Sequence, residues 1–294
     1  MKRGLTDIID VKRGSTQINK IIRGTTLIWE KVVDSLLLDV FPNPLLAVSE
    51  YNIGETSQTL EARRVLDGVL REFDTVNIET ETENFVGAGD GEINKLYDKS
   101  PNALVGIAGV RPKVVVSGVY NSFVFEGSNV NNMINFGNRQ GTPLSDPSLA
   151  TNGITMFCRV TTDNTSLGYL FSTGAQTGSR GLMMSFSGGT MKVWVHDGTR
   201  RYGLSIPATV GVKADFAAVF DNTNKILKGY KDGSFISEDL VGSSDVQSDN
   251  EPLVTIGVPN NNLTRFGYDG KLHSLFVWDE VYTDNQIQEI SNFI

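Results

Sequence analysis

This 294-residue chain is poor in the residues from which many catalytic and nucleic-acid-binding sites are built. Its one cysteine, Cys158, excludes an internal disulfide framework and any cysteine-based zinc site. It has two histidines, His196 and His273, and no H-E-x-x-H pattern. Positive charge is in deficit, 26 Lys and Arg against 34 Asp and Glu, a formal net of −8. That balance argues against a phosphate-backbone partner, and no block of one sign offers a basic arm. No stretch approaches the roughly 20 apolar residues of a membrane span. The opening MKRGLTDIID turns polar at once and lacks the apolar core of a signal peptide, so synthesis in a cytoplasm without secretion is expected. Walker A, GxSxG and dinucleotide fingerprints are absent. Gly87-Ala88-Gly89-Asp90-Gly91 has no following lysine and reads as a loop.

What is present is glycine, 30 residues of it, and short β-branched runs. Arg3-Gly4-Leu5-Thr6-Asp7-Ile8 recurs ten residues on as Arg13-Gly14-Ser15-Thr16-Gln17-Ile18, and again as Arg23-Gly24-Thr25-Thr26-Leu27-Ile28. Each unit pairs a turn-permitting glycine with a short strand, which predicts a meander of strands about four to six residues long. Three such strands cannot bury a core alone, so residues 1–34 either dock onto other subunits or fold back onto their own domain. In the first case Arg3, Gly4, Arg13, Gly14, Arg23, Gly24 and Trp29 form an attachment segment. Its closing Leu27-Ile28-Trp29-Glu30-Lys31 resembles short β segments at the N-termini of phage tail and virion proteins.

Residues 32–74 hold the best helical material, and 35–120 is expected to form one segment with a single helix, packed on the sandwich. Val65, Leu66, Val69, Leu70 and Phe73 recur at three- and four-residue spacing and predict a helix over Glu61–Phe73, with Gly68 as its weak point. From residue 114 on the pattern is almost wholly β. Predicted strands are Lys113–Val116, Ser122–Phe125, Ile154–Val160, Tyr169–Ser172, Leu182–Phe186, Met191–His196, Asp215–Phe220, Ile226–Lys231, Leu253–Ile256 and Lys271–Trp278. Turn signals such as Gly188-Gly189, Asp232-Gly233 and Asp269-Gly270 separate them, which means a sandwich or barrel. Asp284–Phe293 reads as a closing amphipathic helix.

The segment 121–294 resembles the laminin-G/concanavalin-like jelly roll. Ser122-Phe123-Val124-Phe125-Glu126-Gly127 is similar to its opening strand, Ile154–Val160 to its long central strand, and Ile226–Gly233 to a hairpin that forms a ligand-side strand and turn in that family. Phe266–Trp278 with Tyr282–Ile287 resembles the final strand and closing helical turn. The resemblance implies a mainly β jelly-roll sandwich with a lectin-like surface. Residues 42–127 resemble the opening of the arabinofuranosidase B catalytic domain, through Glu61–Val65, Phe85-Val86-Gly87, Leu96-Tyr97-Asp98-Lys99-Ser100-Pro101-Asn102 and Arg111–Val115. The enzyme's Trp-Tyr-Asp-Gln-Ser-Gly motif is altered here, with Leu96, Lys99 and Pro101 replacing tryptophan, glutamine and glycine. An aromatic platform and an amide suited to sugar contact are lost. Because this opening recurs in phage tail proteins, it implies a virion protein rather than hydrolysis.

A glycosidase needs two carboxylates about 5–9.5 Å apart. Asp90, Glu92, Asp98, Asp215, Asp221, Asp269 and Asp279 are available, but no spacing forces such a pair. Cys158, alternating with Met156 and Val160, reads as a buried structural thiol. The expectation is therefore a non-catalytic protein with no cofactor; calcium is compatible with such folds, although no EF-hand spacing occurs.

Strand alternation places Lys192, Trp194 and His196 on one face of Met191–His196, with Arg200, Arg201 and Tyr202 across the turn. That mixed aromatic and polar patch is the first glycan-binding expectation, against the alternative that Trp194 covers the core. Asn261 and Arg265 form a second at the rim. The functional expectation is a phage virion protein, a tail or baseplate appendage contacting host-surface glycan or protein. It would be held to other virion proteins by its N-terminal segment and form a symmetric homo-oligomer such as a trimer. A capsid decoration or head-fibre protein without ligand, and a glycan hydrolase, are the alternatives.

Overall fold

The computed structural model describes residues 12–13, 16–17, 20–23, 26–30, 36–51, 58–74, 77–127, 132–173, 181–197, 199–240, 253–258 and 266–294, the first four segments as backbone. Two short hairpins come first, β1 (Lys12–Arg13) with β2 (Thr16–Gln17), and β3 (Lys20–Arg23) with β4 (Thr26–Glu30). They are separate pairs, where repeat spacing predicted a meander. Arg13, Arg23 and Trp29 lie on β1, β3 and β4; Arg3, Gly4, Gly14 and Gly24 lie outside the described residues.

After α1 (Leu37–Val40) come β5 (Leu46–Ser49), β6 (Gln58–Arg64), β7 (Leu70–Asp74), α2 (Ile78–Val86), β8 (Gly91–Tyr97), β9 (Val105–Ala108), β10 (Lys113–Val116), β11 (Val119–Phe125) and β12 (Ile134–Asn138). Then follow β13 (Gly153–Thr162), β14 (Gly168–Ser172), β15 (Gly181–Ser187), β16 (Thr190–His196), β17 (Arg201–Pro207), β18 (Lys213–Asp221), β19 (Ile226–Lys231), β20 (Ser234–Asp239), β21 (Leu253–Ile256), β22 (Gly270–Trp278) and α3 (Asp284–Phe293).

The architecture is a mainly β, antiparallel jelly-roll sandwich. One layer runs β20–β19–β18–β13–β22, with β5 and β11 end to end along the far side of β22 and β10 beyond β11. The other runs β17–β16–β15–β14–β21–β12–β9. The layers meet at β8, which pairs β10 with its first half and β9 with its second. The hairpin β6–β7 continues from the opposite side of β8. Segment 35–120 is thus hydrogen-bonded into both layers.

Between the layers lies one large apolar core, including Phe123, Phe125, Phe171, Phe186, Phe220, Leu275 and Val277. A second core sits on the outer side of the first layer, where α1 and α3 cover Phe157, Phe276 and Trp278. Ile287 and Ile290 are its α3 contribution, and Thr283 and Gln286 cap that helix reciprocally. The predicted strands and closing helix fall within a few residues of the observed ones.

The helix predicted over Glu61–Phe73 is instead the hairpin β6–β7. Leu60, Ala62 and Phe73 point inward, whereas Val65, Leu66, Val69 and Leu70 are exposed, Leu66 at 88%. Gly68 takes φ +76 at the turn, the Arg64 and Val69 backbones pair, and Arg64 grips Asp67 at 2.6 Å. A left-handed glycine favours reversal over helix continuation, so an apparent 3.6-residue stripe is the outside of a turn. The real helix, α2, reads IETETENFV; its Thr and Val residues disguise it, while Glu79 and Glu81 suit its N-terminus.

Candidate functional site

β16 sits near the end of the second layer and alternates as predicted: Met191, Val193 and Val195 are fully buried, while Lys192 and Trp194 are partly exposed. Register sets Trp194 between Met183 on β15 and Gly203 on β17. The indole lies across Gly203, where an added Cβ would come within 2.6 Å of Trp194 Cδ1. The Arg201 guanidinium stacks over the ring at 5.5 Å. The next row holds Ser185, Lys192 and Ser205, and the Ser185 hydroxyl is buried without a hydrogen-bond partner.

The turn beyond β16 is pinned by Asp197, which accepts from the Thr199 and Arg200 backbone at 2.9 and 2.7 Å and from Lys225 at 3.0 Å. Burial opposes ionisation of Asp197, but these partners prevail and hold its carboxyl below the ordinary value. Arg200 is exposed at this turn. Lys192, Trp194, Arg200 and Arg201 therefore gather at one end of the layer.

Two residues expected in this patch belong elsewhere. Tyr202 is 1% exposed and packs its ring 4.9 Å from Phe220 in the main core, because it shares the inward register of Val195. His196 lies on β16 but is buried, so it offers little surface to a ligand. Asn261 and Arg265 lie outside the described residues.

A polar centre that sequence spacing did not reveal occupies the outer side of the first layer. His273 Nδ1 meets Glu50 Oε1 at 2.7 Å and Ser122 Oγ at 2.9 Å, while Nε2 meets Thr161 Oγ1 at 3.2 Å. The Tyr120 hydroxyl donates to Glu50 at 3.1 Å. Burial resists the Glu50 charge, but hydrogen bonds from His273, Ser122 and Tyr120, with the His273 charge, outweigh it and lower the carboxyl's pKa. Beside this centre Arg159 binds Asp215 bidentately at 2.5 and 2.7 Å and donates to carbonyls of Ser291 and Ile294. That clamp ties the last turn of α3 to β13 and β18.

The segment Leu96–Asn102 is held by structural contacts. Asp98 is buried and accepts from Ala47 N at 2.7 Å, Ser100 N at 2.8 Å, Ser100 Oγ at 2.5 Å and Leu104 N at 3.2 Å. Burial nevertheless raises its pKa. Lys99 is 5% exposed, its Nζ has no hydrogen-bond partner, and burial pulls its pKa down to about 8. Four other carboxylates raised as catalytic candidates have structural partners: Asp90 binds Ser117 N, Glu92 binds Arg63, Asp221 caps its own turn and Asp269 binds Asn164, whereas Asp279 has one buried oxygen without a hydrogen-bond partner and burial raises its pKa. Asp163 is pushed up by burial and by the Asp269 charge, with Lys271 opposing. Among the described residues no group of three or more His, Cys, Asp or Glu side chains is arranged to hold a metal. Cys158 is buried, as expected, and burial raises its thiol pKa.

An antiparallel jelly roll of this kind is the architecture of lectin-like sandwiches. Residues 136–288, just over half of the chain, match the model of the concanavalin A-like lectin/glucanases superfamily, and the chain belongs to that family. Among solved structures it is similar to the CBM40 module of Ruminococcus gnavus IT-sialidase bound to α2,3-sialyllactose, at 18% identity over 48% of this chain and 83% of that one, TM-score 0.41. It is also similar to Streptococcus pneumoniae NanB sialidase (16% identity, 46% of this chain, 23% of that one, TM-score 0.39). A Limulus polyphemus SAP-like pentraxin gives 19% identity, 54% and 81% coverage and a TM-score of 0.36. No curated protein matches.

Proposed function

We propose that this chain is a non-catalytic glycan-contact protein, whose sandwich binds acidic saccharide through Trp194, Arg201, Lys192 and Arg200. The observation that carries the reading is the partly exposed indole laid across Gly203 with a guanidinium against it. The stacked pair presents the indole edge beside a guanidinium, an apolar surface next to a cation, which suits the C–H groups of a sugar ring that carries a carboxylate. On a chain whose formal net charge is −8, Lys192, Arg200 and Arg201 outnumber the carboxylate of Asp239, which accepts from Gly203 N at 2.9 Å, and this favours acidic glycans at that spot. The setting we propose is a virion surface appendage, with the hairpins at 12–30 holding the chain to neighbouring subunits. The ten-residue repeat and its resemblance to virion N-termini support that setting.

Calorimetric titration with 3′-sialyllactose, a uronate-containing oligosaccharide and lactose tests the binding. An acidic saccharide should bind with a Kd of roughly 0.1–1 mM, and Trp194→Ala should weaken it by about tenfold or more. Absence of binding to both acidic probes, or equal binding by Trp194→Ala, would sink the reading.

A further inference from the structure

A separate cavity of about 550 Å³ opens where α3 begins, on the outer side of the first layer. Its origin lies in register. On β18 and β19 the outward rows are Ala217 with Tyr230, Val219 with Lys228, and Asp221 with Ile226. Ile287 and Ile290 of α3 cover the first part of this face. The helix starts at Asp284, so beyond it the face has a wall on one side and an opening above. The floor is apolar, formed by Val219, Ile226 and Val281. The rim is polar, with Asp221, Asn224 and Lys228 on the strand side and Thr283, Asp284 and Asn285 on the helix side.

Charge within the rim is nearly balanced. Lys228 Nζ stands 4.0 Å from Asp284 Oδ1, a loose pair; burial opposes the Asp221 charge, but turn hydrogen bonds from Asn224 and Thr223 and, last, the Lys228 charge lower its pKa. Asp284 Oδ1 is already steadied by the Tyr230 hydroxyl at 2.8 Å. Two carboxylates around a single ammonium disfavour an anion. Carboxylates and amides accept from hydroxyls and the amide and ammonium groups donate to them, so the rim offers both roles around an apolar base. A pyranose has the complementary form, with hydroxyls on its edge and C–H groups on its face. The volume, within the usual 300–1,000 Å³ of ligand sites, admits one or two sugar rings.

We infer that the cavity between the Asp221–Lys228 hairpin and the first turn of α3 is a second saccharide site, selective for neutral pyranosides. It lies on other strands than the Trp194 patch and uses no residue of it. The two sites would then discriminate by charge, the first taking acidic and the second neutral sugar.

The test is a titration of the ¹⁵N-labelled full chain with methyl pyranosides (gluco, galacto and manno), maltose and lactose, followed by amide shifts. At least one probe should shift Asn224, Lys228 and Asn285 together, with a Kd of about 1–10 mM. The exposed double variant Asn224→Ala/Asn285→Ala should weaken that binding by about tenfold and keep the parent's melting temperature within a few degrees. A conservative second variant, Lys228→Gln, should retain neutral-sugar binding. Trp194→Ala should leave these shifts unchanged while acidic-glycan binding falls, which separates this proposal from the first. No shift with any neutral probe, shifts that persist in the double variant, or shifts lost with Trp194→Ala would each overturn it.

Discussion

At the scale of single residues, the segment Leu96–Asn102, which resembles a sugar-enzyme motif with three residues changed, shows how a buried carboxylate and a buried amine can sit side by side in a turn. Asp98 remains, and its four hydrogen bonds tie the turn at 100–104 and the backbone of β5 to β8. Lys99, in the position of the enzyme's amide, is buried with an unpartnered amine. The sequence shows a lysine at this position but not that its head is enclosed, because burial depends on what packs above the turn. The consequence is a stability cost with a defined pH dependence. The folded amine has a pKa of about 8 against an ordinary 10.5. Below pH 8 both states are protonated and the full cost, up to roughly 3 kcal/mol, is carried. Between about 8 and 10.5 only the unfolded state holds the proton, so stability rises with pH; above that range the cost is gone. Lys99→Met, similar in volume and apolar, is expected to raise the melting temperature at pH 7 by up to about 5 °C. Its advantage should shrink towards pH 10.5, as paired thermal melts would show; a variant less stable than the parent at pH 7 would refute this.

At the scale of elements, most strands from Lys113 onward are legible because period-two alternation and glycine turns agree there, but β12, β17 and β20 are not among the predicted ones. The hairpin β6–β7 is not legible either, since Val65, Leu66, Val69 and Leu70 imitate a helical stripe while standing outside. β5 hid for another reason: all four of its residues are buried, and a short run covered on both faces has no period. β5 nevertheless completes the polar centre, since it delivers Glu50 to His273 across 223 residues of sequence. The other partners of His273 are 151 and 112 residues away, so no local motif could announce them. This centre fastens the ends of β5 and β11 to β22 and β13. Its Glu50 pKa is lowered on folding, so the stabilisation is present above the unfolded value of about 4.5 and disappears as pH falls through the lower folded value. Glu50→Gln should cost about 1–3 kcal/mol at pH 7. It should also flatten the acid limb of stability below pH 4.5, measured by urea unfolding from pH 3 to 7. An unchanged midpoint at pH 7 together with an unchanged acid limb would mean that the centre contributes nothing to folding.

For the whole molecule, the decisive property is that one strand pair serves two environments. β16 and β17 send Val193, Val195, Tyr202 and Leu204 into the core and Lys192, Trp194 and Arg201 outward. The alternation of β16 is readable in the sequence, but Tyr202 falls there with the outer patch because it follows Arg201 directly. Across a turn, adjacency is a poor guide to face; register decides, and Tyr202 pairs with inward Val195. The two sides should therefore separate under mutation. Tyr202→Ala removes a ring packed 4.9 Å from Phe220 and should destabilise by about 3–5 kcal/mol. Any folded fraction should bind acidic glycan as the parent does. Trp194→Ala deletes a partly exposed ring, so it should cost about 1 kcal/mol or less and lose acidic-glycan binding. Chemical denaturation alongside glycan titration on both variants distinguishes the arrangements. If Trp194→Ala unfolds the chain as readily as Tyr202→Ala, the indole is a cover for the sheet, and contact with sugar must be sought on the other layer.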